Sequence, residues 1–278
     1  MSIKLLISCE DKKGIVNEVS KFILDNGGNI IDSQQHSLGL DSRFFMRLEI
    51  DALTKTSKEL STDFASIANK FKMDYQFIEG QKRMAILVSK YDHCLYDILQ
   101  KIKSGVIKVD VPVIISNHPD LENIAKNFNI EFKYLPIIDS DKEAQEKQIL
   151  AELEKLKIDF IALARYMQIL SENFINAYPY KIINVHHSFL PSFKGANPYK
   201  QAYEKGVKVI GATAHYATAE LDMGPIISQD VATVNYKHNL EDYKQIGADI
   251  EKVVFARAIK AHCDDKIIIY NNKTNVFN

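Results

Sequence analysis

At Gly80-Gln81-Lys82-Arg83 the hydrophobic pattern changes rhythm, and this change constrains the chain to two separately built units. Before the break, the two-residue period of strands and the longer period of amphipathic helices follow one another in the order strand, helix, strand, strand, helix, strand. After it, short continuous apolar runs alternate with helical stretches, the rhythm of a sheet covered by crossover helices. A chain of 278 residues has room for both cores. The spacing therefore predicts two domains, residues 1–82 and residues 83–278.

In the first unit, residues 3–9 are rich in strand formers, and Asp11-Lys12-Lys13-Gly14 turns the chain into Ile15, Val16, Val19, Phe22 and Ile23 at helical spacing. Asn26-Gly27-Gly28 stops that helix. Residues 29–37 and 44–50 then read as a hairpin turned at Gly39-Leu40-Asp41-Ser42. Leu60, Phe64, Ile67, Ala68 and Phe71 form a second helical stripe, and residues 73–78 a last strand. The predicted order, βαββαβ, is that of a ferredoxin-like unit.

In the second unit, apolar strands at 84–88, 111–116, 159–164 and 181–185 alternate with helices near Leu95, Leu121, Ala144 and Phe174. Two further strands, at 209–215 and 226–234, precede a closing helix over 240–263 that carries Ile246, Ile250, Val253, Val254 and Ala258. The pattern predicts a parallel, Rossmann-like α/β sheet.

Composition narrows the partners. Lys plus Arg number 35 against 36 Asp plus Glu, a net charge of -1, so no global field draws the chain to nucleic acid or anionic lipid. Hydrophobic residues at 46% and charged residues at 26% are those of an ordinary globular protein. Cys9, Cys94 and Cys263 lack the close pairing of a zinc site or a disulfide scaffold and are expected to be reduced. The apolar run after Lys4 is too short for a signal peptide and no later run suits a membrane span, so a cytoplasmic location is expected.

Ligands of open parallel sheets gather beyond the carboxyl ends of strands. Three polar clusters occupy such places: Asn184-Val185-His186-His187-Ser188, Thr213-Ala214-His215, and Leu221-Asp222-Met223-Gly224-Pro225. Asn184 and His186, two apart on a strand, share a face and set an amide donor beside an imidazole. Such a pair suits acyl chemistry, because each fixed donor stabilises a tetrahedral oxyanion by roughly 3 to 4 kcal/mol. Asp222 would then polarise the imidazole or take a proton from water. Taken singly, each has a structural alternative. Asn184 and His186 could satisfy backbone groups, Asp222 could form an Asx turn, and His187 and His215 could be packing histidines.

Taken together, these segments resemble the folate-dependent formyltransferase family. Within it, Leu163-Ala164-Arg165-Tyr166-Met167-Gln168-Ile169-Leu170 and Phe193-Lys194-Gly195-Ala196-Asn197-Pro198-Tyr199 are most similar to the hydrolytic branch, the formyltetrahydrofolate deformylases. The resemblance spans nearly the whole chain. It implies hydrolysis of 10-formyltetrahydrofolate to tetrahydrofolate and formate, with formate supplied to purine synthesis and the one-carbon folate pools kept in balance. It implies Asn184, His186 and Asp222 as the catalytic set and His215 as a further site histidine. The folate's pterin is expected against Leu163, Ala164, Arg165, Tyr166 and Met167 and against the loop from His215 to Asp222. Neither a metal nor a cofactor is implied, folate being the substrate. The group that protonates the leaving nitrogen stays open.

Asp11-Lys12-Lys13-Gly14-Ile15-Val16 with Gly27-Gly28-Asn29-Ile30 resembles the ACT domain, a regulatory module that often binds amino acids between paired copies. The resemblance implies a homo-oligomer and admits either an amino-acid effector or a purely dimerising role, with Gly14 allowing close backbone approach. Relatives that formylate glycinamide ribonucleotide carry a glycine-rich phosphate turn after the first strand of the formyltransferase-like domain. Here that stretch is Ser89-Lys90-Tyr91-Asp92-His93-Cys94-Leu95, without glycine, which leaves water as the acceptor. The alternative is a formyltransferase with an amine acceptor. A tRNA acceptor is disfavoured by the balanced charge, and a decayed, non-catalytic regulator by the presence of all three catalytic residues.

Overall fold

The computed structural model describes residues 2–39, 42–193, 195 and 197–278. Leu40 and Asp41 of the expected hairpin turn, and Lys194 and Ala196 of the second motif, lie outside the described residues. The chain forms two compact units, Met1–Gly80 with Asp264–Asn278, and Gln81–Cys263.

The first unit runs β1 (Ile3–Glu10), α1 (Ile15–Asp25), β2 (Asn29–Leu38), β3 (Arg43–Asp51), α2 (Ser57–Phe71) and β4 (Asp74–Ile78), the predicted βαββαβ order. Its sheet is antiparallel, ordered β2-β3-β1-β4. Gly14 precedes α1 at φ 96°, a left-handed turn that glycine adopts without strain. A Cβ there would meet no protein atom within 4 Å, so the conformation and not crowding within this unit calls for glycine. Thr56 and Glu59 close a capping box at the start of α2. Leu5, Ile7, Met46, Leu48 and Ile50 pack one face of the sheet against Val19 and Phe22 of α1 and Leu60 and Phe64 of α2.

The other face of β3 is also buried. Phe45 is 0% and Arg47 2% exposed, because the last two strands, at the far end of the chain, cover them. The Tyr270 ring lies 5.8 Å from Phe45 and 4.8 Å from the Arg43 guanidinium. Arg47 donates to the carbonyls of Asp264 and Asp265 at 3.0 and 3.1 Å. Residues 264–278, expected with the second domain, thus belong to the first. Their apolar run Ile267-Ile268-Ile269-Tyr270 supplies the cover that a β3 buried on both faces requires.

The second unit holds β5 (Arg83–Val88), α3 (His93–Lys103), β6 (Asp110–Ser116), α4 (Glu122–Asn127), β7 (Glu131–Tyr134), α5 (Lys142–Lys155) and β8 (Phe160–Ala164). It continues with α6 (Glu172–Ala177), β9 (Ile182–His186), α7 (Pro198–Lys205), β10 (Val209–Tyr216), β11 (Ile226–Thr233) and α8 (Leu240–Cys263); β12 (Ile267–Tyr270) and β13 (Lys273–Val276) form the hairpin of the first unit. The sheet order is β11-β10-β9-β8-β5-β6-β7. Strands β9-β8-β5-β6 are parallel, as predicted, and an unforeseen β7 adds parallel to β6, whereas β10 pairs antiparallel to β9 and β11 antiparallel to β10. The link between β10 and β11 is too short for the crossover that a parallel neighbour needs. Winding from β5 proceeds through β6 to β7 on one side and resumes at β8 on the other, so the direction reverses between β5 and β8. A crevice opens at such a reversal, beyond the strand ends.

Candidate active site

A cleft of about 390 Å³ lies at this reversal, within the range of small-molecule sites. Tyr91 after β5, Leu163 and residues 165–170 at and after β8, residues 184–187 of β9 and its end, His215 of β10 and Asp222 line it. Asn184 and His186 belong to β9 and His215 to β10, inside the strands and not beyond them. The antiparallel return of β10 explains this, since its register sets His215 opposite Asn184 and Thr213 opposite His186.

The polar groups converge. Asn184 Nδ2 lies 3.3 Å from His215 Nε2, and His215 Nδ1 lies 2.9 Å from the Tyr216 carbonyl. The carbonyl accepts only, so Nδ1 of His215 carries a proton, and Nε2 faces both the Asn184 side-chain amide and Asp222. Asp222 presents Oδ2 at 3.3 Å from His186 Nδ1 and Oδ1 at 3.7 Å from His215 Nε2. Its carboxylate thus faces both imidazoles in preference to a turn of its own. Burial works against ionising Asp222, but His186 first and His215 second outweigh it and hold the carboxyl well below the usual carboxylate range. His186 is 6% exposed, and its Nε2 is buried with no hydrogen-bond partner among the described residues.

Local backbone aims these groups. Asp222 sits at φ 57° and Arg165 at φ 60°, left-handed conformations that cost a bulky side chain free energy. Gly224 holds the Asp222 loop against β10, where a Cβ would fall 1.8 Å from the Tyr216 carbonyl oxygen.

Of the residues expected at the pterin, Leu163, Arg165, Tyr166, Met167 and His215 line the cleft, whereas Ala164 is wholly buried and does not. Beside them is a polar cluster that sequence reasoning overlooked. Glu251 of α8, 1% exposed, accepts from His93 Nε2 at 2.7 Å and Tyr199 Oη at 2.8 Å, with Arg165 Nε at 3.5 Å. Burial opposes its charge, yet the His93 hydrogen bond and the Arg165 charge keep it below its ordinary value. Burial and the Arg165 charge push the neighbouring His187 down to about 3, so His187 is neutral. The available signal was a glutamate next to Ile250 and three residues before Val254, within the apolar stripe of the closing helix. Ligand atoms of His93, Cys94 and Glu251 lie within 4.8 Å of one another. Arg165 already neutralises that carboxylate, so the set suits an ion pair better than a metal. Cys9 and Cys94 are buried free thiols. Among the described residues no helix is long and apolar enough to cross a membrane.

Comparison with known proteins places this geometry. Residues 82–259 match the formyl transferase family model and residues 5–78 the ACT domain model. A formyltetrahydrofolate deformylase from Synechocystis sp. is 47% identical over 281 residues, covering 100% of this chain and 99% of its own. The chain belongs to the formyltetrahydrofolate deformylase family. A second member, from Bacillus subtilis, is 46% identical over 280 residues, 99% of this chain and 93% of its own. The crystal structure of a formyltetrahydrofolate deformylase from Pseudomonas syringae superposes with a TM-score of 0.96 at 40% identity, covering 100% of this chain and 94% of that one. In this deformylase-family chain two residues of the stretch from Ser89 to Leu95 reach the buried cluster: the half-exposed Tyr91 stacks on Arg165 at 4.7 Å, and His93 holds Glu251.

Proposed function

We propose that this protein hydrolyses 10-formyltetrahydrofolate to tetrahydrofolate and formate. The observation that carries the reading is the convergence of Asn184, His186, His215 and Asp222 in one cleft, in a chain with full-length deformylase relatives. Water oxygen adds to the formyl carbon, the carbon–nitrogen bond breaks, and the nitrogen takes a proton as formate departs. A carboxyl held as low as that of Asp222 is a weak base, which favours it as the group that orients His186 and balances the charge of its imidazolium. The His186 Nε2 atom then exchanges the proton with water and leaving nitrogen. The Asn184 side-chain amide, set beside His215, offers a hydrogen to the oxyanion. Main-chain groups of Leu163, Arg165, Tyr166 and Met167 receive the pterin, and the hydrolysis as written needs no cofactor.

The reading extends to a cytoplasmic homo-oligomer that feeds formate to purine synthesis and balances folate pools, with an amino acid as effector of the ACT domain. A cavity lined by Asp11, Lys12, Gly14, Asn17, Ser20 and Phe44 supports that effector. The direct test is to mix purified protein with 10-formyltetrahydrofolate and no amine. Equal amounts of tetrahydrofolate and formate are expected; a folded protein that binds the folate without releasing formate would instead be a transferase.

A further inference from the structure

Five buried side-chain atoms lack a hydrogen-bond partner among the described residues, and three of them belong to two residues of one cleft: Nε and Nη1 of Arg165 and Nε2 of His186. Leaving such atoms unsatisfied costs free energy, more so on a charged group, unless something that binds there completes them. Arg165 is 8% and His186 6% exposed, so neither is a solvated surface group.

We propose that the Arg165 side chain forms a small-anion subsite in this cleft, which takes a one-carbon carboxylate such as formate. The proposal rests on the hydrolytic reading for its biological ligand, and it uses the Arg165 side chain, where the pterin uses the main chain. Arg165 is mounted for the purpose. Its left-handed backbone redirects it at the end of β8, the Tyr91 ring lies 4.7 Å from its Cζ, and Glu251 Oε2 sits 3.5 Å from Nε. Glu251 is in turn held by His93 and Tyr199. The guanidinium is thus fixed on its Nε side, with Nη1 left as an unmatched donor. A planar fork suits a carboxylate.

Charge limits the strength of such a site. Glu251 offsets the cation, His187 beside it is neutral, and the ionised Asp222 lines the same cleft, so an anion is held by the directed donor of Arg165 and not by net charge, and is not trapped. That balance suits a product that must leave after each turnover. In the hydrolysis the added water oxygen and the former formyl oxygen become the two carboxylate oxygens, and the subsite would receive them as the carbon–nitrogen bond breaks.

The test titrates 13C-formate into full-length protein saturated with tetrahydrofolate, reading the formate NMR linewidth. Wild type is expected to bind formate; Arg165→Gln should weaken it by about tenfold or more, the loss of one charged hydrogen bond, and Arg165→Lys should fall between. Tetrahydrofolate binding by each variant reports that it is folded. Equal formate affinity in wild type and a folate-binding Arg165→Gln protein would overturn the subsite, as would no formate binding by wild type. Because the titration needs no turnover, it is read apart from the hydrolysis assay, whose failure would strike the proposed reaction instead.

Discussion

A Cβ on Gly247 would lie 2.1 Å from Cζ of Tyr199, so the helix passes directly beneath the ring whose hydroxyl bonds Glu251 one turn later. Gly247 and Glu251 therefore act as a pair, one leaving space for the ring and the other taking its hydroxyl. In a free helix Gly→Ala gains about 1 kcal/mol. Here the displaced ring should reverse the sign: overpacking costs typically 1–3 kcal/mol, and the Tyr199 hydrogen bond is lost as well. Gly247→Ala is expected to be less stable than wild type by urea unfolding, and to cost far less when it is added to Tyr199→Ala, which lacks the ring.

Asp222→Asn should reduce kcat by about 10²- to 10⁴-fold, the usual range for a group that supports proton transfer. The same residue gives a stability signature. An unfolded aspartate titrates near 3.9, and His186 and His215 hold the folded carboxyl lower. Its contribution to stability is then complete above the unfolded value and fades as pH falls toward the folded one. The stability difference between wild type and Asp222→Asn should be flat from neutral pH to about pH 5 and shrink below it, measured by urea titrations at each pH.

Much of this architecture was legible beforehand because burial on one face of a strand or helix leaves a periodic trace. The βαββαβ order, the parallel strands and the same-face placement of Asn184 and His186 follow from such periods. What escaped depends on distant packing. The short strand β7 has only a half-buried pattern, and α7 at 8 residues is too short for its period to stand out. The terminal hairpin joins the first unit only because β3 is buried on both faces, a demand that one strand's alternation does not reveal. Glu251 and Arg165 are a buried pair from elements far apart in sequence, and no local period announces a pair.

Arg47→Ala should loosen the terminal hairpin. Arg47 is 2% exposed, pairs with Asp32 at 2.8 Å and Glu49 at 3.3 Å, and donates to two carbonyls of the final segment. Removing one member of a buried ionic set costs about 3–5 kcal/mol, but Asp32 is 42% and Glu49 27% exposed, so water relieves part of it. A loss of about 2–3 kcal/mol is expected. Hydrogen exchange should rise first across residues 264–278, and uniform acceleration over the whole first unit would contradict the local role.

Gly224→Ala tests whether the aspartate loop is placed by close packing. A Cβ there would fall 1.8 Å from the Tyr216 carbonyl oxygen, a backbone atom that cannot rotate away, so the loop itself must move. Asp222 is two residues earlier, and its 3.3 Å approach to His186 leaves little slack. Displacement by about an ångström commonly costs 10²-fold in rate. The prediction is a fall in the single-turnover rate of about that size, with tetrahydrofolate affinity changed less, since Leu163 and residues 165–170, which also line the cleft, are untouched. If rate and affinity fell together, the loop would be binding the folate and not only aiming the carboxylate.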